Sequence, residues 1–86
     1  MTSPTPQPRH SSVEHVARLL DPNPNLTGTL GVVAGLTADF RDQMLALLPN
    51  DGPELTAGLR KLLEAKDCLV RQALLDQRAE AGELSN

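Results

Sequence analysis

The sequence predicts an all-α protein: an antiparallel helical hairpin at residues 29–79, preceded by a short N-terminal helix and assembled as a symmetric homo-oligomer. Three observations predict it. Apolar residues recur at i, i+3, i+4 spacing through separate stretches, each bounded by a proline-bearing break. Hydrophobic residues make up 40% of the chain, yet Phe40 is the only aromatic among them, so the interior must be built of Leu, Val and Ala, which suit helices better than strands. The apolar arcs are also wider than a single helix–helix seam covers, which asks for a further partner.

The elements follow in order. Pro4, Pro6 and Pro8 stand among Thr, Ser and Gln, too little apolar area to offset ordering entropy, so residues 1–11 are expected to form a disordered arm. A single helical domain spans 12–79, and 80–86 form a flexible tail. Ser11 and Glu14 have the form of a capping box, and Val13, Val16, Ala17 and Leu20 follow at helical spacing. That predicts a short helix, which Asp21-Pro22-Asn23-Pro24-Asn25 ends because proline cannot continue the hydrogen-bond ladder. From Leu30, the residues Val33, Leu36, Phe40, Met44 and Leu47 carry a second helix to Leu48. Pro49-Asn50-Asp51-Gly52-Pro53 forms the turn, with Asp51 and Glu54 offering a second cap. The last helix carries Leu55, Leu59, Leu62, Leu63, Leu69, Val70, Ala73 and Leu74 before it fades into Glu80-Ala81-Gly82. So short a turn makes the two long helices antiparallel neighbours.

On a helical wheel, Ala34, Ala38 and Leu45 widen the apolar arc of the second helix to roughly 200 degrees. The third has a second flank of Ala57, Gly58, Ala65, Cys68 and Leu75, while Arg60, Glu64, Asp67 and Arg71 mark its watered face. The short helix can cover part of one flank. A neighbouring subunit is expected on the other.

Charge and composition exclude several function classes. With 8 basic against 11 acidic side chains the net charge is -3, which argues against binding DNA or RNA polymers, where phosphate neutralisation dominates affinity. The lone Cys68 excludes an internal disulfide and a structural zinc site and suits a reducing cytoplasm. No run has the ~20 apolar residues of a membrane span, and the N-terminus lacks the order of a signal peptide. The Asn25-Leu26-Thr27 sequon then reads as accidental. For catalysis, His10 falls in the arm, His15 on the short helix, and no second histidine or cysteine stands at ligand or dyad spacing. Gly28-Thr29-Leu30-Gly31 lacks the spacing and lysine of a phosphate loop. No enzyme, metal or cofactor is expected.

Other residues carry more information. Gly31, Gly35 and Gly58 each cost ~1 kcal/mol inside a helix, a sign of close backbone packing or of a ligand. Lys66 falls among Leu59, Leu62, Leu63, Val70 and Ala73, where a bare ammonium is costly. It must therefore snorkel, pair with an acid such as Asp39 or Asp42, or meet a bound anion. Arg60 and Lys61 could pair with Glu64, or could recur around a symmetry axis and meet repeated phosphates.

The stretch Leu48-Pro49-Asn50-Asp51-Gly52-Pro53-Glu54-Leu55-Thr56, with Leu59-Arg60-Lys61-Leu62-Leu63-Glu64-Ala65-Lys66 and Ala73-Leu74, resembles the helical-hairpin family of bacteriophage proteins that counter CBASS and related cyclic-nucleotide immunity. The resemblance covers about a third of the chain and its fold is the same hairpin. It implies a sponge in the host bacterial cytoplasm: a symmetric oligomer, a hexamer by resemblance, that sequesters cyclic di- or trinucleotides without degrading them. It also implies that Arg60, which matches a basic residue early in the family's last helix, contributes to a pocket shared between subunits, with Thr56 and Lys61 nearby. The N-terminal half departs from the pattern. Some members place a tyrosine and a lysine around the bases of a dinucleotide, whereas this chain has no tyrosine and no lysine before Lys61.

The sequence therefore leads to non-catalytic capture of a cyclic oligonucleotide, with Arg60, Lys61, Thr56 and Lys66 as candidate ligand-binding residues. The alternative is a small helical interaction module whose spare apolar flank docks on a host or phage protein.

Overall fold

The computed structural model describes residues 9–82, which hold three helices and no strand. They are α1 (Ser11–Leu19), α2 (Gly28–Leu47) and α3 (Pro53–Glu80). Residues 1–8 of the expected arm and 83–86 of the expected tail lie outside the described residues. Among those described, α3 is the common platform: α2 packs along it, and α1 packs on it as well.

Local chemistry sets the ends of each helix. Ser11, expected as the cap of α1, is its first helical residue instead. His10 caps the helix, its Nδ1 accepting from the Ser12 amide at 3.1 Å while its carbonyl accepts from Val13 and Glu14 at 3.0 Å. Pro22 and Pro24 follow the end of α1 as expected. Gly28 opens α2 at φ 62, a left-handed conformation that glycine adopts without steric cost. One turn later, a side chain at Gly31 would meet the Leu26 carbonyl oxygen at 2.8 Å, so this glycine lets the incoming loop lie against the helix. Gly35 and Gly58 face open space, which removes the close-packing explanation for them. At α3, Pro53 takes the first position, where its missing N–H costs nothing. Gly52 stands at the cap and supplies no side chain, so the expected Asp51 cap is not made.

The core lies between α1 and α3. Val13, Val16, Leu20 and Leu59 are fully buried there, with Leu45, Leu55, Leu62 and Leu63 packed around them. The seam of α2 uses small residues. Ala34, Thr37 and Ala38 are buried, and Ala73 is buried on α3, while Val32, Leu36, Phe40 and Leu47 of α2 stay exposed. The periodic face of α2 that reads as the core stripe thus points away from the core. Ala and Thr allow the two helices to approach closely. Cys68, expected at a packed flank, is exposed.

Polar anchors fix α1 in place. Arg41 of α2 donates to the Ala17 carbonyl at 2.8 Å and pairs with Asp21 just past the helix end and with Asp42 beside it. Burial alone would lower this guanidinium's pKa, but the hydrogen bonds it donates to Asp42 and Asp21 outweigh it and hold it above its ordinary value. Lys66 of α3 donates to the Asp21 carbonyl at 3.1 Å and the Leu19 carbonyl at 3.4 Å. A cation at the negative end of a helix complements its dipole.

Candidate functional site

Two turns of chemistry meet at the start of α3. The first turn of any helix leaves amides without intrahelical partners, and in α3 no side chain caps them. Thr56, still in that turn, donates its hydroxyl to the Gly52 carbonyl at 3.3 Å and keeps its lone pairs free to accept. Arg60 lies one turn further along the same side, because residues four apart share a face. The N-terminus of α1 comes alongside, bringing His10 and Ser12. Together they bound an open cleft of about 550 Å³, lined by His10, Ser12, Asp51, Thr56, Ala57 and Arg60 among others. That is within the range of roughly 300–1,000 Å³ common for small-molecule sites.

The electrostatics of the cleft favour an anion. Among the described residues Arg60 makes no hydrogen bond or ion pair, and the Glu64 pairing open to it is not formed. It is an exposed, uncommitted guanidinium, a fork suited to bidentate phosphate or carboxylate recognition. The opposing negative group, Asp51, is already neutralised. Its carboxylate accepts from the Arg9 guanidinium at 2.6 Å and from the His10 amide at 2.6 Å. Arg9 reaches on to the Leu45 carbonyl and so ties the segment before α1 to the end of α2. Arg9 and His10, expected in the disordered arm, are therefore held.

The Asp51 contacts predict a dependence on pH. The His10 amide, then the Arg9 side chain, lower its pKa below the ordinary value of 3.8. A carboxylate depressed in the folded state adds stability that is fully present above its unfolded value and is lost as pH falls through the folded one. Stability of the wild type should accordingly fall faster than that of Asp51→Asn when both are melted in steps from about pH 5 down to about pH 2.5. Parallel curves for the two proteins would remove this contact from the account.

The structure distributes the four candidate residues over different surroundings. Arg60 and Thr56 share the cleft. Lys61 is exposed about 100 degrees around the helix from Arg60, and does not line the cleft. Lys66 is buried, and its ammonium faces neither Asp39 nor Asp42 but the carbonyls that end α1. Asp42 is engaged by Arg41. The residues that sequence reasoning missed are His10 and Ser12, which reach the cleft only because α1 lies across α3. Among the described residues, no group of His, Cys, Asp and Glu is placed to hold a metal ion. No described helix is long and apolar enough to cross a membrane.

No protein-family model, no curated protein and no solved structure matches this chain.

Proposed function

We propose that this chain is the helical-hairpin protomer of a symmetric homo-oligomer that captures, without catalysis, small phosphate-bearing ligands of the cyclic di- or trinucleotide class, and so blocks host antiphage signalling of the CBASS type. The observation that carries this reading is Arg60: an unpaired guanidinium one turn from the Thr56 hydroxyl, beside the uncapped first turn of α3, in a cleft of about 550 Å³. A helix N-terminus, a hydroxyl and a guanidinium are complementary to one phosphate. His10 supplies a flat ring at the mouth on which a base could stack. His10 Nδ1 and the Ser12 hydroxyl lie 2.8 Å apart at the edge of the cleft, but the same Nδ1 also accepts from the Ser12 amide, a contact that caps α1. In this reading the pair belongs to the cap, and retention by binding is the mechanism. The resemblance of the last helix to phage sponges supports the ligand class. Lys61, outside the cleft, would serve a ligand that spans two protomers. Lys66 is a structural cation in this reading.

Loss of one charge-assisted phosphate contact typically costs about 1.5–3 kcal/mol. Arg60→Ala should therefore weaken retention of a cyclic oligonucleotide by roughly 10- to 100-fold per site, with helicity and oligomer size unchanged. Isothermal titration and native mass spectrometry against a panel of cyclic di- and trinucleotides provide the measurement. Absence of any bound nucleotide at micromolar concentration would overturn the reading, and unaltered affinity in Arg60→Ala would remove this residue from the site.

A further inference from the structure

The side of the hairpin turned away from α1 carries a second surface. On α2, Val32, Leu36, Phe40 and Leu47 are between 50% and 70% exposed, with Val33 and Met44 half-buried among them. Beside this ridge two hollows lie in the groove between α2 and α3. One, about 420 Å³, lies between Phe40 and Met44 on one helix and Leu55, Gly58 and Leu62 on the other. The second, about 330 Å³, lies between Val33 and Leu36 and the exposed Leu69. Glu54 in the first and Asp76 in the second are the charged side chains that line them.

We infer that this ridge and groove pair isologously with those of a second copy of the chain, on the opposite side of α3 from the Arg60 cleft. The inference names the pairing face of the homo-oligomer proposed above and rests on that part of the reading, but not on the nucleotide. Three observations select a second copy as the occupant. First, the surface is self-complementary in kind: a protruding apolar ridge and a parallel apolar groove occur on one face, so a two-fold axis can seat each ridge in the partner's groove. At Gly58, a side chain would meet nothing within 4 Å, so the groove floor is open for an incoming side chain. Second, the area suffices. Val32, Leu36, Phe40, Leu47, Leu48 and Leu69 leave roughly 600 Å² of apolar surface per copy, at the upper limit for a monomer, and a pair would bury roughly 1,200 Å², the lower bound of stable specific interfaces. Third, the hairpin needs the cover. Its own seam buries Ala34, Thr37, Ala38 and Ala73, small side chains that contribute little, while its large ones wait on this face.

The geometry also separates assembly from ligand binding. Arg60 and Leu69 sit about 180 degrees apart around α3, so pairing leaves each Arg60 cleft open to the outside of the pair. Further contacts between pairs can then close on the clefts.

The full chain answers the question by native mass spectrometry and by melting at several concentrations. Two-fold pairing predicts dimers or even multiples of them, and a melting temperature that rises with protein concentration. The double variant Leu36→Glu/Phe40→Glu should raise the dimer dissociation constant by roughly 100-fold or more, whereas His15→Glu, on the exposed side of α1, should leave it unchanged. If the double variant also loses helicity, the concentration dependence of the wild type alone decides. A wild-type monomer with a concentration-independent melt overturns the pairing, as does a closed ring with an odd number of subunits. In either event, titration of the same protein with cyclic nucleotides reports separately on the Arg60 cleft.

Discussion

Leu20→Ala should destabilise the fold by about 2–5 kcal/mol, the largest effect of any single truncation in this chain. Leu20 is 0% exposed and closes the cluster of Val13, Val16 and Leu59. It sits at the cap of α1, its amide bonded back to the Ala17 carbonyl at 3.1 Å, so the backbone cannot follow the shrinking side chain inward. The cavity therefore stays. A domain of this size has a stability near the lower end of about 5–15 kcal/mol, and a loss on this scale should lower its melting temperature by at least about 10 °C. Leu19 provides the internal comparison. It is one residue away but 49% exposed, and Leu19→Ala should change stability by no more than about 0.5 kcal/mol. Thermal melts of the two variants followed by circular dichroism measure this directly, and equal melting temperatures would show that the α1–α3 cluster is not the core. Hydrogen exchange adds the location, since the α1 amides should lose protection first.

The three helices were legible in the sequence because their signals are local. Pro22, Pro24, Pro49 and Pro53 punctuate the chain, and the apolar spacing between them has a period near 3.6. What was not legible depends on distant partners. Both sides of α2 are apolar, and periodicity cannot tell the Ala34–Ala38 side from the Leu36–Phe40 side; that choice is made in the packing of α2 on α3. The cap of α1 was missed by one residue in part for the same reason, since the His10 ring that accepts from Ser12 belongs to a residue whose amide is held by Asp51 across the chain. Of the candidate site, Thr56 and Arg60 were readable together because residues one turn apart share a face. His10 and Ser12 carried no signal, as nothing in their local sequence says that the short helix will lie beside the start of α3.

Lys66→Glu should come close to Leu20→Ala in severity, at about 3–5 kcal/mol, because it sets a buried carboxylate against two carbonyl oxygens. The sequence shows a cation among leucines that must snorkel, pair with an acidic side chain or meet an anion. Its partners are instead backbone atoms, the Asp21 and Leu19 carbonyls at 3.1 and 3.4 Å, in a setting where Lys66 is only 9% exposed. Helices end with unsatisfied carbonyls and a partial negative charge, so an ammonium there serves as both donor and counter-charge. Lys66→Met separates these roles from packing. It keeps a buried apolar stem and leaves carbonyls that can turn to water at the exposed Asp21–Asn23 loop, so its cost should be only about 1–2 kcal/mol. Chemical denaturation of the wild type and both variants should rank them wild type, Met, Glu in falling stability. A Lys66→Glu protein that melts within about 2 °C of wild type would disprove the carbonyl anchorage. Nucleotide titration of Lys66→Met completes the distinction. Affinity should survive in it while it falls in Arg60→Ala, and the reverse pattern would transfer the phosphate-binding role from the cleft to Lys66.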